Sequence, residues 1–294
     1  MSTSNNLTIG AIIARTVPFL AEKHLPNPRL EADLMLAHVL DLPRVKLYSE
    51  WDRPLEPAEI QRYREILVQR VQGWPLAYLT GQKSFLSWDF KVTPAVLIPR
   101  PETELLVETV VDALKGRDGV CGADVGTGSG IIAIALAKLL PGSRWYALDL
   151  SAEALEVAAA NAARLGVAER IEFRRGDLLE PLAGQGLALD AVVSNPPYIP
   201  TAVVDTLQPE VRREPRLALD GGPDGLDLYR RLLPAARELL KPDGLVALEH
   251  GADQRSGLAE LLAGLEFLPE PLADLAGRDR VMLGRRRKAA GADA

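Results

Sequence analysis

The sequence is poor in residues that staple small folds or hold metals. It has one cysteine, Cys121, so neither an internal disulfide nor a CxxC pair is available, and its three histidines (His24, His38, His250) share no ligand spacing. No metal site is expected, and a reducing compartment is. Long apolar runs are also missing. Ile9 to Leu20 is broken by Arg15 and Pro18, with no basic stretch before it, so neither a signal peptide nor a membrane span is supported and the cytoplasm is the expected location. Positive charge is scarce: 34 Lys and Arg stand against 40 Asp and Glu, a net charge of −6. Residues 285–294 hold four of the basic residues and one acid, leaving 30 against 39 in the body. So acidic a body is a poor general binder of nucleic-acid phosphates, and a small molecule or another protein is the expected partner. What is present is ordinary for a globular chain: 294 residues, 47% hydrophobic, enough to bury a core without staples.

Two regimes of hydrophobic periodicity divide the chain. From Leu7 to about Tyr78, apolar residues recur at three and four, as in Leu30, Leu34, Ala37 and Leu40, and prolines at 26, 28, 43, 54 and 57 cut the segment into short helices. Residues 1–78 are expected to form a small all-α domain. Residues 79–101 carry short aromatic and β-branched runs, including Val96 to Ile98, between Gly81, Pro94 and Pro99, and predict a hairpin-like connector. Residues 102–284 alternate apolar strands with helices of ten to fifteen residues, which predicts an α/β domain with a mostly parallel sheet and helices on both faces. Residues 285–294, with Arg285 to Lys288 followed by small residues, are expected to be a basic, disordered tail.

The first chemical signal is Gly126, Thr127, Gly128, Ser129 and Gly130, after the strand ending at Val125 and opening a helix. Glycines at such a bend let backbone approach a nucleotide-like ligand, and Asp149, ending the next strand, is placed to accept from ribose hydroxyls. The bland alternative is a tight strand-to-helix turn, with Asp149 capping the helix near Ser151. A dinucleotide fingerprint needs a glycine where Ile131 stands, which argues against a nicotinamide enzyme.

The second is Asn195, Pro196, Pro197 and Tyr198, directly after the strand Ala191 to Val193. Prolines lack N–H groups and present only carbonyl acceptors, Asn195 adds a side-chain acceptor, and Tyr198 offers a flat ring. That set suits a planar NH2 group: two acceptors take its protons, the ring stacks on it, and the nitrogen is aimed at an electrophile without a strong base. A rigid turn with a partly buried tyrosine is the bland alternative. These residues alone leave open an amide of a protein, an amino group of a nucleobase, and a non-catalytic scaffold.

Together these residues resemble the class I S-adenosylmethionine-dependent methyltransferases that modify planar nitrogen groups. The stretch Leu97-Ile98-Pro99-Arg100-Pro101-Glu102-Thr103-Glu104, with Pro75 to Gly81, Arg213-Glu214-Pro215, Gly221 to Leu226 and Leu240 to Gly244, is similar to the HemK/PrmC family of peptide chain release factor glutamine methyltransferases over nearly the whole chain. The resemblance implies a Rossmann-like, seven-stranded methyltransferase domain and S-adenosylmethionine as cofactor. It implies as substrate the glutamine amide of the Gly-Gly-Gln motif in class I release factors, acting in translation termination. By matching position, Gly126 to Gly130 would meet the methionine part, Asp149 the ribose, and Asp177 and Leu178 the adenine edge. Many relatives carry an aromatic residue where Leu178 stands. Asn195 to Tyr198 would hold the glutamine, with Asn195, Pro196 and Tyr198 as catalytic residues and Asn195 also near the transferred methyl. The helical domain would recognise the substrate protein. Arg100 and Glu102 either reach the site or pair with each other. His250 is expected to be an ordinary strand-end histidine, and Cys121 inert core.

Overall fold

The computed structural model describes residues 7–286. They divide into two units, one running to Gly81 and taking in Pro209–Arg213, the other comprising Gln82–Gln208 and the chain from Glu214 onward. No helix among the described residues is long and apolar enough to cross a membrane, and no group of His, Cys, Asp and Glu among them is placed to hold a metal.

The first unit is built from α1 (Ile9–Glu22), α2 (Pro28–Leu40), α3 (Arg44–Ser49), α4 (Pro57–Val71) and α5 (Leu76–Thr80). Pro28 and Pro57 open α2 and α4, where a missing N–H costs nothing, and Pro43 and Pro75 immediately precede α3 and α5. Pro18 lies inside α1, which continues through it. Ile9, Ile13 and Leu20 of α1 pack with Met35 and Leu36 of α2 and Tyr63 of α4. Each such fully buried aliphatic side chain contributes roughly 1.5–3 kcal/mol, so this core, rather than intrinsic propensity, holds the short helices.

The second unit begins with the antiparallel hairpin β1 (Gln82–Phe85) and β2 (Trp88–Lys91). The expected third run, Val96 to Ile98, forms no strand. The Val96 N–H closes a turn on the Thr93 carbonyl and the Ile98 N–H donates to Glu214 Oε2, so neither is offered to a ladder. There follow α6 (Glu102–Leu114), β3 (Cys121–Val125), α7 (Ile131–Leu139), β4 (Arg144–Asp149), α8 (Ala152–Arg164), β5 (Ile171–Arg175), β6 (Leu189–Ser194), α9 (Thr201–Val204), α10 (Asp227–Leu239), β7 (Leu240–Glu249), α11 (Arg255–Gly264), β8 (Phe267–Ala273) and β9 (Asp279–Arg286).

The seven strands order as β5-β4-β3-β6-β7-β9-β8, parallel from β5 to β7, with β9 antiparallel to both its neighbours. Successive residues face opposite layers. Ala191, Val193, Leu245 and Ala247 pack with α6 and α7 on one face, while Val192, Val246 and Leu248 pack with α10 and α11 on the other. Coverage on both faces explains why the run Ala191 to Val193 is apolar without alternation and why β6 is buried at every position.

Arg285 and Arg286, assigned by the sequence to a tail, instead end β9. Arg285 lies opposite Leu245 of β7 and Leu268 of β8, and Arg286 donates from Nη1 to the Leu240 carbonyl at 2.6 Å. Ladder pairing with two strands outweighs their charge. The rest of that segment, including Arg287 and Lys288, lies outside the described residues.

Candidate active site

The chain runs from β3 outward through β4 to β5, then returns to lay β6 on the other side of β3. This reversal opens a crevice at the carboxyl ends of β3 and β6, the place where ligands bind in open α/β sheets. Val125 and Ser194 are register partners there, and Ser194 Oγ donates to the Val125 carbonyl at 2.7 Å. Gly126 and Asn195 therefore leave the sheet side by side. A cavity of ≈530 Å³ opens at this edge, within the roughly 300–1,000 Å³ of ordinary ligand sites.

Of the residues singled out in the sequence, Gly126, Gly128, Asp149, Asp177, Leu178, Asn195, Pro196 and Pro197 all line that cavity. Gly128 holds φ +56, and a Cβ built there meets nothing within 4 Å, so bare backbone faces open space. Asp149 Oδ2 accepts from the Gly128 N–H and Oδ1 from the Ser151 N–H, both at 2.9 Å, so one carboxylate fixes the loop and the following turn. Ionised, it retains unused lone pairs for hydroxyl donors. The cap of α8 is Ser151, whose Oγ accepts from the Ala154 N–H at 3.1 Å. Asp177 pairs with Arg231, and Leu150, Leu178 and Leu228 are apolar residues of the cavity lining.

Thr127, Ser129 and Gly130 belong to the same loop but do not line the cavity. Thr127 is buried and donates from Oγ1 to Asp124 Oδ2 at 2.6 Å, and the Ser129 carbonyl accepts from Asn161 Nδ2 at 2.9 Å. Tyr198 is also absent from the wall. Its side chain packs against the apolar layer under the sheet, with its hydroxyl 3.5 Å from Glu249 Oε1. The Tyr198 carbonyl accepts from Gln254 Nε2 at 2.8 Å, which fixes the backbone of the turn. Gly225 sits beneath it at φ +75, where a Cβ would stand 2.2 Å from the Tyr198 carbonyl oxygen. Backbone cannot yield there. Gly225→Ala is expected to cost roughly 2–3 kcal/mol, read as a lower urea midpoint, and an unchanged midpoint would contradict the close packing.

Asn195 is held from behind. Its Nδ2 donates to Thr103 Oγ1 at 3.1 Å, and Thr103 Oγ1 donates to Glu249 Oε2 at 2.7 Å. Asn195 Oδ1 is thereby left as the amide's ligand-facing acceptor. Arg100 pairs with neither the cavity nor Glu102. Its Nη2 meets Glu214 Oε1 at 2.5 Å, while Glu214 Oε2 accepts from the Ile98 N–H, so the pair anchors the segment 94–97 that forms one wall. His250 is fully buried, its Nδ1 2.8 Å from the Gly251 carbonyl, and burial lowers its pKa, which keeps it neutral. Cys121 is half-buried, and burial raises its thiol pKa, an unreactive setting.

Sequence reasoning assigned no role to Asp124, Thr103, Glu214, Glu249 and Gln254, although Thr103 and Glu214 lie in the stretches that carry the family resemblance. A usable signal existed for two of them: Asp124 and Glu249 are carboxylates in or at the end of otherwise apolar strands, near the sheet edge where ligands bind. Burial pushes Asp124 up from 3.8 to about 7 and Glu249 up from 4.5 to about 7. The folded chain thus holds both protons more tightly than the unfolded chain. Their contribution to stability is full below roughly pH 4 and declines as pH rises toward about 7. In thermal unfolding of the ligand-free protein, Asp124→Asn should show a shallower decline across that range than wild type. Parallel curves would mean that Asp124 ionises at its ordinary value.

Residues 11–81 match the family described as PrmC N-terminal domain, and residues 101–209 the methyltransferase small domain. The release factor glutamine methyltransferase of Moorella thermoacetica is 49% identical over 284 residues, spanning 96% of this chain and 100% of its own. That of Geobacter sulfurreducens is 44% identical over 280 residues, spanning 95% and 96%. A crystal structure of a methyltransferase from Pyrococcus furiosus aligns with a TM-score of 0.51 at 18% identity, over 77% of this chain and 98% of that one, a likeness of fold.

Proposed function

The chain belongs to the release factor glutamine methyltransferase family, and we propose that it methylates the side-chain amide nitrogen of the glutamine in the Gly-Gly-Gln motif of class I peptide chain release factors. The observation that carries this reading is Asn195 at the end of β6, on the cavity wall, with its Nδ2 already given to Thr103. A site built to receive a planar NH2 group needs acceptors, and Asn195 Oδ1 and the Pro196 carbonyl are the two assigned to it in this reading.

The cavity fits S-adenosylmethionine by its donor and acceptor chemistry. Gly126 and Gly128 expose backbone to a polar tail, Asp149 keeps lone pairs for ribose hydroxyls, and Leu150, Leu178 and Leu228 supply an apolar slot for the base. When bound, that cofactor supplies a methyl group on a cationic sulfur. Asn195 Oδ1 and the Pro196 carbonyl then take the two amide protons and orient the nitrogen, whose lone pair is otherwise delocalised into the carbonyl. The same two acceptors stabilise the positive charge that develops on nitrogen, and the protonated amide, a strong acid, then gives its extra proton to water as the product leaves. Val96, Leu97 and Leu217 give the cavity an apolar part of its wall. The helical unit is proposed to bind the release factor away from the glutamine, since an exposed tripeptide tip offers little surface and remote contacts supply binding energy.

Mass spectrometry of an unmethylated release factor, incubated with the protein and S-adenosylmethionine, tests this. A gain of about 14 Da on the Gly-Gly-Gln glutamine is expected. Cofactor binding without any gain would discard the substrate and keep the nitrogen-methylating site.

A further inference from the structure

The half-turn ambiguity of an amide side chain is resolved here by a residue outside the cavity. Thr103 has a single hydroxyl proton. Its Oγ1 lies 2.7 Å from Glu249 Oε2 and 3.1 Å from Asn195 Nδ2. Ionised, Glu249 only accepts, so the Thr103 proton goes to it and the Thr103 oxygen accepts from Asn195; burial raises the Glu249 carboxyl to about 7, so this arrangement is the one held above that pH. Were the amide flipped, its oxygen would face the Thr103 oxygen with no proton between them, and its NH2 would point at the substrate's own NH2. Thr103 and Glu249 are both buried, 1% exposed each, and Tyr198 flanks the other carboxylate oxygen, so the chain is rigid and shielded from water.

We propose that Thr103, backed by Glu249, is a positioning residue that locks the Asn195 amide with its oxygen toward the cavity and so makes the site selective for a side-chain amide over a carboxylate. This rests on the functional reading above. The logic concerns specificity as much as rate. A glutamate in place of the glutamine brings no N–H to Asn195 Oδ1 and sets its oxygens against acceptors, so the locked amide repels it. An unlocked amide turns its NH2 to a carboxylate and accommodates it. Buried polar groups left unpaired are the strongest source of such discrimination.

The test uses the full-length protein with S-adenosylmethionine and two release factors, one with the native Gly-Gly-Gln and one with glutamate at that position as a competitive inhibitor. Thr103→Val keeps the shape and removes the hydroxyl. It is expected to lower kcat roughly 10–100-fold, to leave cofactor affinity near wild type, and to make the glutamate form a better inhibitor relative to substrate. Thr103→Ser should restore most of the loss and the discrimination. A purely structural role would lower stability and cofactor affinity together and leave the glutamine-to-glutamate ratio unmoved. That result, or a Thr103→Val variant with wild-type kcat, overturns the proposal. Should Thr103→Val fail to fold, Thr103→Ala removes the same hydroxyl and carries the same two readings. Unchanged discrimination in a folded Thr103→Ala enzyme likewise overturns it. A wild-type enzyme that leaves the release factor unmethylated refutes the functional reading itself, whereas methylation by wild type with unaltered specificity in the variants refutes only this inference.

Discussion

Asn195→Ala is expected to lower kcat for release-factor methylation by roughly 10²–10³-fold, the usual cost of removing one preorganised group at a site of developing charge. Affinity for S-adenosylmethionine should stay close to wild type, because the Gly126 and Gly128 backbone, Asp149 and the apolar slot are untouched. The reason lies in the poor nucleophilicity of an amide. Without Asn195 Oδ1 one amide proton loses its acceptor in an apolar pocket, the nitrogen is no longer aimed, and the charge that forms on it is uncompensated. The loss should fall on kcat more than on KM, since the interaction strengthens as the charge develops. Single-turnover methylation and calorimetric titration of the cofactor separate the two. Wild-type kcat in this variant would sink the mechanism, and parallel loss of cofactor binding would move Asn195 to a binding role.

In the helical unit the largest expected effect is at Arg70. Its Nε and Nη2 form a two-point pair with Glu31 at 2.6 and 2.9 Å, Nη1 reaches Glu210 at 3.1 Å and the Trp74 carbonyl at 3.2 Å, and the Arg70 and Glu31 side chains are 3% and 8% exposed. Arg70→Ala strands the Glu31 carboxylate in a desolvated place and should cost about 3–5 kcal/mol. Replacing both partners by leucine leaves no charge alone and should cost far less, because the desolvation penalty disappears together with the attraction. Urea denaturation of the single and double variants distinguishes these. Equal losses would show that packing of the arginine stem, rather than the isolated charge, holds the unit.

Much of the architecture was legible because it is locally encoded. Apolar residues at three and four with prolines at helix starts mark α2 and α4, and the Gly126 to Gly130 bend after an apolar strand marks the turn from β3 to α7. Where local reading failed, pairing at a distance had decided. Val96 to Ile98 has strand composition, but Glu214 takes the Ile98 N–H. Arg285 and Arg286 have tail composition, but β7 and β8 pair with them. Local sequence leaves Arg100 to reach the site or to pair with Glu102, whereas its partner is Glu214, 114 residues away.

By itself, then, the sequence determined the order of strands and helices, the glycine loop, the carboxylate of Asp149 ending β4 and the placement of Asn195 to Tyr198 after a buried strand. These follow from burial period and backbone freedom, which neighbouring residues settle among themselves. Only the tertiary structure decided that Asn195 meets Thr103, 92 residues distant, that Thr103 meets Glu249, 146 residues distant, and that the Tyr198 hydroxyl lies beside Glu249. A side-chain hydrogen bond takes its direction from whichever donor and acceptor the sheet brings within 3 Å or so. That choice is made when β6 and β7 come to lie side by side and α6 packs on them, and no short stretch of sequence contains it.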